Sequence, residues 1–483
     1  MPTRCALIGT PSFPPPSYVL GNPPFVGKKE QNAEQKADMA LIWGEVKGAG
    51  VLDFVTAWYR KAAAYIQGTR IPVAFVSTNS ISQGEQVSVL WGDLFQRYGI
   101  KIHFAHRTFA WKSESRGAAH VHVVIIGFGA YAPTSRTIFD YENQRGHPVA
   151  RTVFNVNPYL IEGNDLTVTV QEHPRSTDAP DMMKGSEVTD NGHLLLTDQE
   201  RSALLGETPD AEPYVRPFLG GKEYINGLTR WCLWLKHAPA ELKRRSAIIT
   251  ARLEAVRNFR RSSPKVRTVE LATLPGTFGE DRQPKSKYLL IPKVSSERRD
   301  YIPIGFLPPE FIVSGSALIV PDATFHDFGI LSSRMHMTWM RVVCGRMKSD
   351  YQYSVTIVYN NFPWPSPTPA QRAKVEDAAR AVLAAREPHL ATGMSTLADL
   401  YDPLTMPAEL ARAHAALDRA VERCYRAEAY HSDRERVEHL FRLYEALTAP
   451  LLPAAPRTRT RRPAAARAAR PSRPRTPPLP PNS

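Results

Sequence analysis

The stretch YVLGNPPFVGKK, Tyr18 to Lys29, decides the reading of this chain. A short apolar strand, Ser17–Leu20, runs straight into Gly21-Asn22-Pro23-Pro24-Phe25. Two consecutive prolines fix the backbone and remove two N–H donors, so the segment is a rigid bend rather than a continuing strand. Working outward, Phe54, Val55, Trp58, Ala62 and Ile66 recur at helical spacing and predict a helix over about Leu52–Gln67. Ile71–Ser77 reads as the next strand, closed by Thr78-Asn79-Ser80, and Glu85–Arg97 as a second helix. Lys101–Phe109 and His120–Phe128 follow as two strands with no helix between them. Strand, helix, strand, helix and a closing strand pair predict an α/β unit.

The residue types after the first strand suit one chemistry. An exocyclic amine on a base or an amide is a poor nucleophile, because its lone pair is delocalised. The side-chain oxygen of Asn22 and the carbonyl of Pro23 can accept its two hydrogens and favour a pyramidal nitrogen. Its lone pair then faces an incoming methyl group. Prolines preorganise both acceptors, and the Phe25 ring can stack on a flat base rotated out of a duplex. The pattern points to amino methylation, and a final antiparallel pair beside parallel strands is what class I methyltransferase sheets have.

Composition sets outer bounds. The 483 residues exceed one ordinary core and predict two or three domains. No apolar run approaches the roughly 18 residues of a membrane span, and the N-terminal apolar stretch is too short for a signal peptide, so the chain reads as cytoplasmic with no membrane partner. Cys5, Cys232, Cys344 and Cys424 form no CxxC pair, so no metal is expected. His103, His106, His120 and His122 lie along two strands at spacings that suit sheet packing better than a tetrahedral site. The net charge of +14 favours a polyanion. Residues 453–483, with eight arginines, nine prolines and no acid, supply +8 of it. That tail, 451–483, has too little apolar surface to offset its ordering entropy and reads as disordered.

Beyond about residue 145 the turns become dense. Segments such as YLLIPKV (288–294), ALIVP (317–321) and YSVTIVY (353–359) read as short strands, and a basic helix is expected over about Glu241–Arg261. Its face is either solvated or set against phosphates. Phe362-Pro363-Trp364-Pro365-Ser366-Pro367 is a rigid boundary, followed by helices at about 369–386 and 407–447 expected to pair and brace the preceding part. His326 and Asp327 beside Ser332 and Ser333 lack a nucleophile elbow, and Met335, Met337, Met340 and Met347 suit a core.

YVLGNPPFVGKK resembles motif IV of the gamma-type DNA adenine methyltransferases, and longer blocks narrow the likeness. HRTFAWKSESRGAAHVHVVIIGF (106–128) resembles the strand-pair region of the MmeI-like, type IIL restriction–modification proteins. NVNPYL, KEYINGLTRWCLWL, VSSERRDYIPIGFL, FGILSSRMHMTWMR and DYQYSVTIVYNNFPWP look like that family's target-recognition domain. LADLYDPLTMPAELARAHAALDRAV is similar to its helical C-terminal domain. The resemblance covers about 17–448. It implies a partial class I, Rossmann-like methyltransferase sheet (1–144), a mixed α+β target-recognition domain (145–366) and a helical C-terminal domain (367–450). It also implies methyl transfer from S-adenosylmethionine to adenine N6 in double-stranded DNA, with Asn22, Pro23, Pro24 and Phe25 at the amine. Arg298, Arg299, Arg334, Arg346 and Lys348 are the candidates for DNA contact, together with Arg341.

One departure weighs as much as the match. Family members place a donor-binding FxGxG loop, and a metal-dependent nuclease domain, ahead of motif IV. The 21 residues before Asn22 contain no FxGxG, and Gly127-Phe128-Gly129 is not followed by a helix start. The expectation is therefore a chain without its donor-binding half, which a separately encoded N-terminal partner would supply. The alternatives are a DNA-recognition subunit or gene fragment without catalysis, and methylation of glutamine or RNA.

Overall fold

The computed structural model describes residues 16–111, 121–141, 146–347 and 349–449. Its first part is a six-stranded sheet of β1 (Val19–Gly21), β2 (Val73–Thr78), β3 (Lys101–Trp111), β4 (Val121–Gly129), β5 (Arg136–Asp140) and β6 (Val149–Val153), in the order β1-β2-β4-β3-β5-β6. β1 and β2 are parallel, with Val19 opposite Val73 and Gly21 opposite Phe75. β4 inserts antiparallel between β2 and β3, which is the closing pair expected from the absence of a helix between them. β5, parallel to β3, and β6, antiparallel to β5, extend the sheet to Val153.

Helices α1 (Ala33–Trp43), α2 (Thr56–Tyr65) and α3 (Gln86–Tyr98) accompany this sheet. Tyr59 carries the packing: its ring lies against Phe75, Trp91 and Phe128 at 5.3–5.9 Å between centroids, and its hydroxyl hydrogen-bonds Ser77 at 2.8 Å. The buried Arg60 guanidinium ties the helices together through Glu45 (2.8 Å) and Asp93 (3.0 Å) and lies over Trp43. α1 was not anticipated. Its sequence signal is the capping box of Asn32 and Gln35, whose side chains bond each other's backbone N–H. Only Met39 and Trp43 are buried on it, so the apolar periodicity is faint.

The middle part holds three small sheets, one of which contains the buried strands Tyr288–Pro292 and Ala317–Pro321. Residues 353–359 correct the strand expected there: Val355–Tyr359 is a π-helical turn. The Ser354 hydroxyl caps it by accepting from the Ile357 N–H (3.3 Å). The buried Asn361 amide fastens it by donating to the Thr169, Thr356 and Ile357 carbonyls. β-branched residues favour strands, but here side-chain capping and a buried amide override that preference. Thr324 and Asp327 form a capping box, and Ser333 caps the helix Arg334–Val343. Met335, Met337 and Met340 are core, while Met347 is largely exposed.

The helix Pro369–Ala391 runs longer than expected, and residues 407–447 form two helices, Ala408–Tyr425 and Asp433–Thr448. The chain breaks between them, where Arg426 stacks on Tyr430 and pairs with Glu435. The first of the two braces the middle part through Asp418. Its buried carboxylate accepts from the Tyr301 hydroxyl (2.6 Å) and from the Arg334 N–H (2.7 Å).

Burial is the largest influence on Asp418 and pushes its pKa from 3.8 up to about 6, against the pull of those two donors. A carboxyl whose folded pKa lies above its unfolded one binds its proton more tightly when folded. Its contribution to stability is therefore full below about pH 4 and is lost as pH rises through about 6. At roughly 1.4 kcal/mol per pKa unit, the loss is about 3 kcal/mol. Denaturant titrations of the parent and Asp418→Asn across this window should show the parent's advantage shrinking as pH rises. A difference independent of pH would contradict this.

Candidate functional site: the Asn-Pro-Pro-Phe loop and its setting

In open α/β sheets, ligands collect at the carboxyl ends of the strands, and the Asn22–Phe25 loop leaves β1 there. Gly21 packs closely on Phe75: a Cβ would sit 3.1 Å from the ring, which would have to give by a few tenths of an ångström. Asn22 and Pro24 are exposed, Pro23 is buried and Phe25 is half-buried. The Asn22 amide has no hydrogen-bond partner among the described residues, so its oxygen is available to a ligand.

The loop is fastened on its far side. The Val26 carbonyl accepts from the Phe54 N–H (2.9 Å), and the buried Gln31 amide donates to the Leu52 carbonyl (3.2 Å). The central fastening is Asp53. One carboxylate oxygen accepts from the Lys28 N–H (2.9 Å) and the other from the Ser80 hydroxyl (2.5 Å). Its own N–H donates to Gln86 (2.9 Å). Asp53 thereby joins the loop after β1 to the turn after β2, although its partners are distant in sequence, and sequence reading missed it. Asp53→Ala removes two hydrogen bonds to a carboxylate, at a cost of about 1–3 kcal/mol. Amide exchange at Lys28 should accelerate markedly; unchanged protection would show that the prolines alone hold the loop.

The histidines have separate partners. His103 Nε2 lies 3.0 Å from the Tyr131 carbonyl, and His106 stacks on Phe139 at 4.1 Å while Nδ1 meets the Tyr141 hydroxyl at 2.8 Å. Burial lowers the pKa of both. His120 lies outside the described residues. Gly127-Phe128-Gly129 is the C-terminal end of β4: a side chain at Gly127 would strike the Phe104 ring, and β5 comes next rather than a helix.

The candidate arginines are variously engaged. Arg334 pairs with Asp433 (2.8 Å), which raises its pKa, and Arg341 bridges Asp300 and Asp433 at 3.2 and 3.3 Å. Arg298 is exposed and 3.3 Å from Asp402, while burial lowers the pKa of the half-buried Arg299. Arg346 lies 4.0 Å above the Tyr351 ring, donates to the Ser349 carbonyl (2.8 Å) and approaches Glu297 (3.6 Å). Lys348 lies outside the described residues.

The basic helix forms as Ala240–Arg245 and Ala247–Arg261, and several of its cations serve the fold. Arg245 pairs with Asp210, Arg252 with Glu200, and Arg257 with Glu254. Arg260 is fully buried.

A sheet of this order, with an Asn-Pro-Pro-Phe loop at the carboxyl end of β1, defines the methyltransferase class of fold. The chain matches the DNA-methyltransferase domain of MmeI over residues 9–140, its target recognition domain over 162–366 and its C-terminal domain over 367–452. It is 40% identical over 432 residues to DNA methyltransferase A of Bacillus subtilis (strain 168), a match covering 89% of this chain and 48% of that protein. It also matches the structure of the type IIL restriction-modification enzyme MmeI in complex with DNA, at 45% identity and a TM-score of 0.82. That match covers 89% of this chain and 57% of MmeI. The chain belongs to the MmeI family, and it spans about half the length of the relatives it matches.

Proposed function

We propose that this chain is the acceptor-binding and DNA-recognising part of a site-specific DNA adenine methyltransferase of a restriction–modification system. The observation that carries the reading is the exposed Asn22 amide, without a hydrogen-bond partner among the described residues, on a loop that Asp53 ties to the turn after β2. An adenine rotated out of the duplex stacks on Phe25. Its N6 hydrogens are accepted by the Asn22 side-chain oxygen and the Pro23 carbonyl, with Pro24 fixing the bend. Residues up to about 144 carry this loop, 145–366 read the duplex, and 367–450 brace the reader. Arg298, Arg299 and Arg346 are proposed DNA contacts. Arg334 and Lys348 belong to the same proposal, Arg334 by exchanging its carboxylate partner for a phosphate.

The methyl donor in this family is S-adenosylmethionine. The described residues do not by themselves fit it: Gly127-Phe128-Gly129 ends β4 and leads into β5 rather than a helix, and no glycine loop among them opens a helix beside β1. β1 pairs only with β2 among the described residues. On and next to it, Leu20 is 76% and Tyr18 68% exposed. An unpaired edge beside exposed apolar side chains is a surface for strand addition. A donor-binding half, encoded separately or upstream, is proposed to dock there. Fluorescence anisotropy tests the recognition half of the reading. The purified chain should bind mixed-sequence duplex DNA in a salt-dependent way, and failure to bind would overturn it. Preference for RNA or a peptide as methyl acceptor would favour the other substrate class.

A further inference from the structure

Three hydrogen bonds tie the Asn22 loop to one strap of three residues, Leu52-Asp53-Phe54. Gln31 donates to the Leu52 carbonyl, the Lys28 N–H to the Asp53 carboxylate, and the Phe54 N–H to the Val26 carbonyl. Two of these use the strap's backbone and hold the loop to the strap alone. The third uses a side chain that reaches further. The second carboxylate oxygen of Asp53 accepts from the Ser80 hydroxyl (2.5 Å), and Ser80 lies 2.8 Å from the Thr78 hydroxyl at the end of β2. A carboxylate accepts at both oxygens, so Asp53 holds an N–H of the Asn22 loop and an O–H of the neighbouring turn at once.

The turn after β2 is a firm reference for the loop. Ile81 is fully buried, and its carbonyl accepts from the buried Trp91 indole N–H (2.9 Å). The Ser82 hydroxyl donates to the Asn79 carbonyl (2.9 Å), and the Gly84 N–H donates to the Val343 carbonyl of the middle part (3.1 Å). The loop itself is exposed at Asn22, Pro24, Lys28, Lys29 and Glu30. Its prolines fix the shape of the bend, but not its distance from the rest of the sheet. The Asp53 carboxylate sets that distance.

We infer that Asp53 is a positioning residue for methyl transfer, acting through Asn22 and Pro23 by holding their loop against the turn after β2. The inference rests on the reading of the chain as an adenine methyltransferase and deepens it. Asn22 and Pro23 present the acceptors for the amine, and Asp53 keeps those acceptors where they are productive. A misplacement of about 1 Å at such a site costs on the order of 10²-fold in rate. Contacts to the duplex made by the recognition domain do not pass through Asp53, so binding is spared.

The test is the single-turnover rate of methyl transfer at saturating duplex and donor, with the chain co-expressed with the N-terminal half of a full-length relative. Asp53→Ala should lower the rate by about 10–10²-fold and leave duplex affinity, read by anisotropy, within about twofold. Asp53→Asn should restore most of the rate: its oxygen accepts from the Lys28 N–H, and its amide donates to Ser80, whose hydroxyl turns to donate to Thr78. The deciding variant is the double Asn22→Ala/Asp53→Ala. If Asp53 acts through Asn22, the double loses at most about threefold more than Asn22→Ala alone. Losses that multiply, in variants that melt like the parent, overturn the inference and leave the methyltransferase reading intact. An Asp53→Ala rate equal to the parent's does the same. A parent that transfers no methyl group overturns the methyltransferase reading and the inference with it.

Discussion

Asn22→Ala is expected to lower methyl transfer by about 10²–10³-fold and to leave duplex affinity within about twofold. The magnitude is that of removing one preorganised hydrogen-bond partner aimed at charge that develops in the transition state. The side chain is exposed and makes no bond within the described residues, so its removal leaves no buried group unpaired and costs little stability. Transfer is compared in chain co-expressed with the N-terminal half of a full-length relative, and affinity by anisotropy on chain alone. Retained transfer would make Asn22-Pro23-Pro24-Phe25 a structural turn. Equal loss of transfer and of binding would place Asn22 in recognition instead.

The second large effect is on the fold. The Arg260 guanidinium is fully buried and donates to five backbone carbonyls, those of Val188, Thr189, Leu271, Leu274 and Thr277, at 2.6–3.1 Å. Burial lowers its pKa, yet it remains the hub on which two stretches, 188–189 and 271–277, converge. Arg260→Ala removes the donor of the Thr189 and Thr277 carbonyls and one of the donors to those of Val188, Leu271 and Leu274, in a space closed to bulk water, so the expected cost is about 3–5 kcal/mol. Urea unfolding followed by circular dichroism measures it. A loss below about 1 kcal/mol would mean that water replaces the guanidinium without penalty.

Local signals carried the order of the catalytic sheet and the loop. The strand into Asn22-Pro23-Pro24-Phe25, and the absence of a helix between β3 and β4, are visible within a few residues. What escaped depends on contacts across the chain. α1 buries too little to show its period, and β5 and β6 are short strands whose partners determine them. Val355–Tyr359 has strand composition, but Asn361 and the Thr169 carbonyl bend it into a turn. In the site, Asp53 sits 25 residues from Lys28 and 27 from Ser80, so no window of sequence shows that it joins them. The basic helix is the converse case. Its charge pattern is plain in sequence, yet Arg260 faces inward because five carbonyls meet there, which no periodicity reveals.

The most direct test of the account is transfer of a labelled methyl group from S-adenosylmethionine to mixed-sequence duplex DNA, with the methylated base identified by mass. N6-methyladenine is expected when the chain is joined by a donor-binding half, and DNA binding without transfer when the chain is alone. Methylcytosine as the product, or N6-methyladenine formed by the chain alone, would contradict it.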